Sequence, residues 1–240
     1  MCLEFFRPAG GVQMRYLVVN ADDFGACSGV NRGIVEAHRR GIVTSASLMV
    51  GMPGTEEAAL LARDCPLLSV GLHAVVSEGE VQMTDPARAC GTALEDQVSA
   101  FTALLGRWPT HLDSHHHVHP RPGLLPQFQA VAERCEIPLR ASSGVRYCSR
   151  FYGRWSGATH PEQVSAARLV ALLETEIAEG ITELSCHPGV LDPTLVSSYT
   201  FERTLELRAL CSRRVRSYLE LSEIVLVGFV EVPRLLGACA

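Results

Sequence analysis

The chain reads as an α/β protein with a (β/α) barrel-like fold, seven or eight parallel strands with alternating helices in a single domain. Three observations predict this. Short apolar, β-branched runs alternate with longer amphipathic stretches about seven times along the 240 residues. Residues able to do chemistry fall just after the apolar runs, where a barrel builds its active site. The turn after the first run, Asp22-Asp23-Phe24-Gly25, is acidic, whereas an open doubly wound sheet would carry a Gly-rich phosphate loop there.

Taken in order, residues 16–19 form a buried strand and the acidic turn follows. A helix starts with Ser28 as N-cap, runs to Arg40 and is closed by Gly41. Strand 42–50 is β-branched and apolar and precedes a helix over 55–64. Strand 69–75 leads to a helix over 92–105, and strand 111–114 to a helix over 124–135. The pattern then predicts strand 138–141, a helix over 162–179, strand 182–186, a helix over 201–219 and strand 224–230. Residues 1–13 read as a poorly ordered leader, with Met14 a second candidate start, and 14–240 as the one domain.

Composition narrows the function. At 47% hydrophobic and 20% charged, the chain can bury a sizeable core and is not globally disordered. A formal charge of -5 argues against a nucleic-acid binder, which needs a basic stripe. The apolar run 224–230 is far shorter than the roughly 20 residues of a membrane span. All 21 basic residues are arginine, so Schiff-base enzymes, Walker-A NTPases and Ser-Lys hydrolases are excluded for want of an amine. The nine cysteines are scattered, odd in number and never spaced Cys-x-x-Cys, which fits buried small hydrophobes rather than a disulfide framework or a Cys-based zinc site. No export signal is evident, and the expected location is cytoplasmic.

Five of the nine histidines lie between His111 and His119. Placed on the predicted scaffold, Asp22 and Asp23 follow strand one, His73 ends strand three, and Asp113 and His115 close strand four. Arg140 sits at strand five and His187 ends strand six. All fall on one rim of a barrel. A carboxylate with two imidazoles and open positions makes a catalytic divalent-metal site, able to activate water and polarise a carbonyl. The other aspartate of the pair could then take a proton from water, and His187 could protonate a leaving group. Duller readings exist for each piece: Asp22-Asp23 as helix capping, His73 as structural, His187-Pro188-Gly189 as a turn, Arg140 as a salt-bridge partner. Strand alternation would align His115, His117 and His119, but Pro120 argues that the strand stops short. The run Arg213-Arg214-Val215-Arg216 reads as a solvated face.

Four ordered motifs carry a family resemblance: Asn20-Ala-Asp-Asp-Phe-Gly25, Gly71-Leu-His73, Thr110-His-Leu-Asp-Ser-His-His-His-Val-His119 and Cys186-His-Pro188. Together they resemble the YdjC-like carbohydrate deacetylases, which include chitooligosaccharide deacetylases and deacetylases associated with hopanoid biosynthesis. The resemblance runs from about residue 15 to about 190. It implies a barrel-like fold and metal-dependent removal of acetyl from an N-acetylated amino sugar or glycoconjugate. It also implies Asp23, His73 and His115 as metal ligands, Asp22 as general base and His187 as general acid. Asp113, His117 and Arg140 would stand beside them, orienting an imidazole or facing substrate. The cofactor is one divalent ion, Mg²⁺ by resemblance and Zn²⁺ by ligand type. The chain departs from the family in segment 77–91, which is short where relatives carry part of the substrate cleft. Two other functions use the same residues: a metal-dependent ester or phosphoester hydrolase, and a non-catalytic sugar- or metal-binding relative. A homodimer is the default expectation for assembly.

Overall fold

A computed structural model describes residues 14–76, 86–142 and 144–238. The expected leader 1–13 lies outside the described residues, as does most of 77–91 before the next helix. In chain order the elements are β1 (Arg15–Phe24), α1 (Ser28–Arg40), β2 (Ser45–Leu48), α2 (Thr55–Arg63), β3 (Ser69–Ala74) and α3 (Pro86–Leu105). Then come β4 (Leu112–Ser114), α4 (Leu125–Arg134), β5 (Arg146–Cys148), β6 (Arg154–Trp155), β7 (Ala158–Thr159) and α5 (Ala166–Glu176). The last are β8 (Gly180–Cys186), α6 (Phe201–Leu210), α7 (Arg213–Leu221), β9 (Ile224–Leu226) and α8 (Val232–Ala238).

Seven strands form one all-parallel sheet in the order β4-β3-β2-β1-β8-β5, with β9 pairing on β1. β8 takes one edge of β1 along Arg15–Ala21, while β9 and β2 share the other, at Arg15–Leu17 and Asn20–Phe24 respectively. Curled round, the sheet is a half-barrel with helices outside, and β6 and β7 form a separate antiparallel hairpin. The barrel-like α/β fold read from the sequence is therefore the fold observed. Among the described residues no helix is long and apolar enough to cross a membrane.

The two faces of the sheet differ in chemistry. Successive side chains alternate between faces. Leu17, Val19, Ala21, Ala46, Leu48, Val70, Leu72, Leu112 and Leu184 join the large apolar core with the helices. Each buried valine or leucine among them contributes about 1.5–3 kcal/mol. Their neighbours Asn20, Asp22, Ser45, Ser47, His73, His111, Asp113, Glu183 and Ser185 are buried too, on the concave side. A polar interior persists only when its groups satisfy one another. Ser47 Oγ donates to Asp113 at 2.6 Å and accepts from Asn20 Nδ2 at 2.8 Å. Its 3.0 Å contact with His111 Nε2 must then use a proton on that nitrogen. Gly71 makes room for this ring, since a Cβ there would lie 2.4 Å from it.

Several element boundaries depart from the sequence reading. Cys27, not Ser28, is the N-cap of α1, and Ser28 Oγ instead donates to Glu57. The helix after β3 starts at Pro86 rather than at residue 92, since proline suits a first helical turn. The strand expected over 138–141 is reduced to a single bridge, Leu112 to Leu139, because Ala141 at φ 59 ends the extended run. The true fifth strand is Arg146–Cys148. Ser165 caps α5, splitting off a short 3-10 turn from the helix expected over 162–179. Ser212 caps α7 and breaks the helix expected over 201–219 in two.

Candidate active site

The site begins with an irregularity in β1. Ala21 pairs with Ala46 and Phe24 with Leu48, so Asp22 and Asp23 together face the single residue Ser47. That is a β-bulge, with Asp23 in the left-handed region at φ 69. In a regular strand adjacent side chains point to opposite faces. The bulge brings both carboxylates into one cavity of about 280 Å³.

Asp23 is the hub. His73 Nε2 lies 3.4 Å and His115 Nδ1 3.1 Å from its Oδ1, while Oδ2 accepts from Arg203 Nη2 at 2.5 Å. Burial alone would raise this carboxyl, but Arg203 and the two histidines hold it well below the usual range. His115 enters from a 3-10 turn, His115–His117, that follows β4, with His116 and His117 at φ 57 and 51. His73 donates from Nδ1 to Asp113 Oδ1 at 2.6 Å, which turns Nε2 toward Asp23. Burial would push His73 down, yet Asp113 and Asp22 lift it to about 10. Asp23, His73 and His115 thus offer one oxygen and two nitrogens, all within 4.8 Å of one another. That donor set and spacing fit one divalent cation with open positions, and His73 is oriented by a carboxylate as histidine ligands usually are.

Asp22 belongs to a different network. Arg140, 1% exposed, donates Nη1 to Asp22 Oδ2 at 2.9 Å and Nη2 to Oδ1 at 2.7 Å. It also reaches Asp113 at 2.7 Å and donates Nε to Glu183 at 2.8 Å. Three carboxyl groups therefore surround one guanidinium. Desolvation opposes the charge on Arg140, but its carboxylates keep its pKa well above the ordinary value.

Glu183 is the group left short. Its Oε2 is buried without a hydrogen-bond partner, and burial, only partly offset by Arg140, raises its pKa to about 7. A raised carboxyl binds its proton more tightly folded than unfolded, so stability drops as pH rises from about 4.3 through 7. In metal-free protein Glu183→Gln removes that slope. Its Tm relative to wild type should climb between pH 5 and pH 8, by an amount equivalent to at most roughly 3 kcal/mol. Parallel Tm curves across that range would contradict the assignment.

His187 follows β8 on the opposite wall, its Nε2 3.9 Å from Asp22 Oδ2. Burial pushes its pKa below the ordinary value. Asp22, Asp23, His73, His115, His117, Arg140 and His187 all line the cavity, and Asp113 lies beneath it, fully buried. His117 is exposed and stacks on Tyr147 at 5.0 Å. The histidine-rich segment does not act as one cluster. His111 stacks on Phe229 and His119 bonds Ser114 and the Arg140 carbonyl; burial holds their pKa values at about 3 and about 4.

Residues that sequence reasoning passed over complete the surroundings. Arg203 and Glu206 come from α6, Tyr199 from the loop before it, and Tyr147 and Tyr152 from β5 and beyond. Two signals were available: a glutamate alternating with serine inside strand 180–186, and an Arg/Glu pair three apart on one helix face.

The half-barrel fold is shared with solved proteins: the family 4 carbohydrate esterase of Streptomyces lividans aligns with a TM-score of 0.57 at 13% identity, over 90% of this chain and 93% of that one. A protein from Enterococcus faecalis described as a cellobiose-phosphate cleavage protein aligns with a TM-score of 0.77 at 26% identity, over 90% of this chain and 98% of that one. The chain belongs to the YdjC-like protein family, whose model matches residues 16–221. A carbohydrate deacetylase of Brevibacillus brevis is 35% identical, covering 90% of this chain and 99% of its own length. A chitooligosaccharide deacetylase of Yersinia pestis is 34% identical, covering 82% and 91%.

Proposed function

We propose that this protein is a metal-dependent carbohydrate deacetylase that hydrolyses the acetamide of an N-acetylated amino sugar or glycoconjugate and releases acetate. The observation that carries this reading is the juxtaposition of two independently held carboxylates. Asp23 faces His73 and His115, while Asp22, one residue away, is clamped by Arg140 and faces His187. Deacetylase relatives at 34–37% identity agree with it.

A divalent cation held by Asp23, His73 and His115 would supply Lewis acidity to the acetyl carbonyl oxygen and lower the pKa of water beside it. The rest is done by the chain's own groups. Asp22 Oδ1 already accepts from Asn20 and Arg140, whereas among the described residues Oδ2 accepts only from Arg140, which leaves Oδ2 room to take a proton from attacking water. Arg140 fixes the direction of that carboxylate. His187, across the cavity, gives a proton to the departing amine. Tyr147, Tyr152 and Tyr199 give the cavity aromatic walls against which a sugar ring can rest.

The test is acetate release from N-acetylglucosamine oligomers by chelator-treated protein reloaded with Zn²⁺, Mg²⁺, Mn²⁺ or Co²⁺ in turn. Turnover that requires one of these ions supports the reading and identifies the ion. Phosphate release from phosphoesters without acetate would replace it with another hydrolase, and sugar binding without turnover would leave a binding protein. His115→Ala should lose the roughly one ion per chain that elemental analysis finds in wild type. Equal metal content in the two proteins would remove His115 as a ligand.

A further inference from the structure

Glu206 is fully buried, and no step above uses it. Its Oε2 accepts the backbone N–H of His187 at 2.5 Å, and its Oε1 accepts the Tyr199 hydroxyl. The same Oε1 lies 4.0 Å from His187 Nδ1, a buried nitrogen with no hydrogen-bond partner. The far nitrogen, Nε2, faces Asp22. We propose that Glu206 is the positioning residue for His187, fixing its backbone and exchanging a proton with its Nδ1 during turnover. The inference rests on His187 as the proton donor of the proposed deacetylase.

The exchange answers a difficulty in that role. Burial holds His187 below its ordinary pKa, so near neutral pH the ring is uncharged. Burial also raises Glu206 to about 8, so its carboxyl keeps a proton under the same conditions. A neutral imidazole can still act as an acid when its other nitrogen is recharged. As the C–N bond breaks, the Nε2 proton passes to the amine nitrogen, Nδ1 takes the proton of Glu206, and Glu206 becomes a carboxylate. The proton that Asp22 took from water then returns to Nε2, and the Nδ1 proton goes back to Glu206. The cycle closes with no net change in the protein. Other groups face His187 as well: Asp22 and Asp23 from β1, His73 from β3, Arg203 from α6, and the rings of Tyr152 and Tyr199. Of these, the two aspartates favour its charged form while Arg203 and His73 oppose it, and none of them approaches Nδ1 as Glu206 does.

The experiment compares wild type with Glu206→Gln, which preserves shape and can still accept the His187 N–H, and with Glu206→Asp, which keeps the carboxyl on a shorter stem. The His187 ring nitrogens are followed by NMR from pH 6 to 10 in each folded, metal-free protein, and kcat and KM for acetate release are measured with metal. In wild type the neutral ring should carry its proton on Nε2 at neutral pH and move it to Nδ1 as Glu206 ionises near pH 8. Expected in Glu206→Gln are loss of that step, a kcat lower by about 10²-fold and a KM within a few-fold. Glu206→Asp should recover part of both effects. A ring with no step near pH 8 in wild type, or with the same step in Glu206→Gln, overturns the proposal whatever happens to activity, because the two side chains then share no proton. A wild-type kcat in Glu206→Gln overturns it as well. If wild type itself releases no acetate, the deacetylase reading fails, while the titration still decides whether Glu206 and His187 are coupled.

Discussion

Asp22→Asn is expected to lower kcat for acetate release by about 10³-fold while the protein stays folded and keeps its bound ion. The fold survives because Arg140 retains Asp113 at 2.7 Å and Glu183 at 2.8 Å, so no buried charge is orphaned. The variant amide would present a donor to one Arg140 N–H, an unmade hydrogen bond costing about 1–3 kcal/mol and visible as a modest fall in Tm. Metal content should not change when the ion sits, as proposed, on Asp23, His73 and His115 rather than on the second group of potential donors, Asp22, His73 and Asp113. Acetate release and elemental analysis on one preparation separate the two functions of the aspartate pair. Activity within about tenfold of wild type would remove Asp22 as the base. Lost metal would mean that both aspartates belong to one site.

The fold was legible because strand positions alternate and helices have amphipathic faces. The apolar members of each strand, such as Val70 and Leu72 in β3, announce the side packed against helices. What periodicity did not expose was where strands shrink. At 138–141 composition favours a strand, but one left-handed residue, Ala141, decides otherwise. Residues 201–219 carry a helical pattern throughout, and only the capping serine at 212 breaks it. Such breaks depend on single backbone conformations, which an apolar pattern does not encode.

The site was legible to the extent that its residues lie at strand ends. Asp22, Asp23, His73, His115, Arg140 and His187 are far apart in the chain, and the parallel sheet gathers them into one cavity. The concave polar network was not, because serines, asparagine and glutamate inside apolar strands look like noise until the opposite face is known. Arg203 and Glu206 were missed for a related reason. They lie on a helix rather than on a strand, and their relevance appears only when α6 is seen to pass behind Asp23 and His187.

Arg140→Met should destabilise the protein more than Asp22→Asn, Glu183→Gln or Glu206→Gln. It leaves Asp22, Asp113 and Glu183 around an apolar side chain, where breaking even one buried ion pair costs about 3–5 kcal/mol. Arg140→Lys should recover only part of this, since a single ammonium cannot reproduce a fork that serves Glu183 through Nε and Asp22 through both Nη atoms. The pH dependence separates loss of charge from loss of packing. In wild type, burial would raise the Asp113 carboxyl, but Arg140 and His73 hold it far below its ordinary value. Its stabilisation is therefore present above the unfolded pKa of about 3.9 and disappears only as pH drops through the folded value. Without the guanidinium, burial favours the protonated acid, and the sign reverses for Asp113. The Tm gap between wild type and Arg140→Met should then narrow as pH falls from 8 to 5. A gap constant across that range would mean that Arg140 acts mainly by filling space, and that the carboxylates find other partners once it is gone.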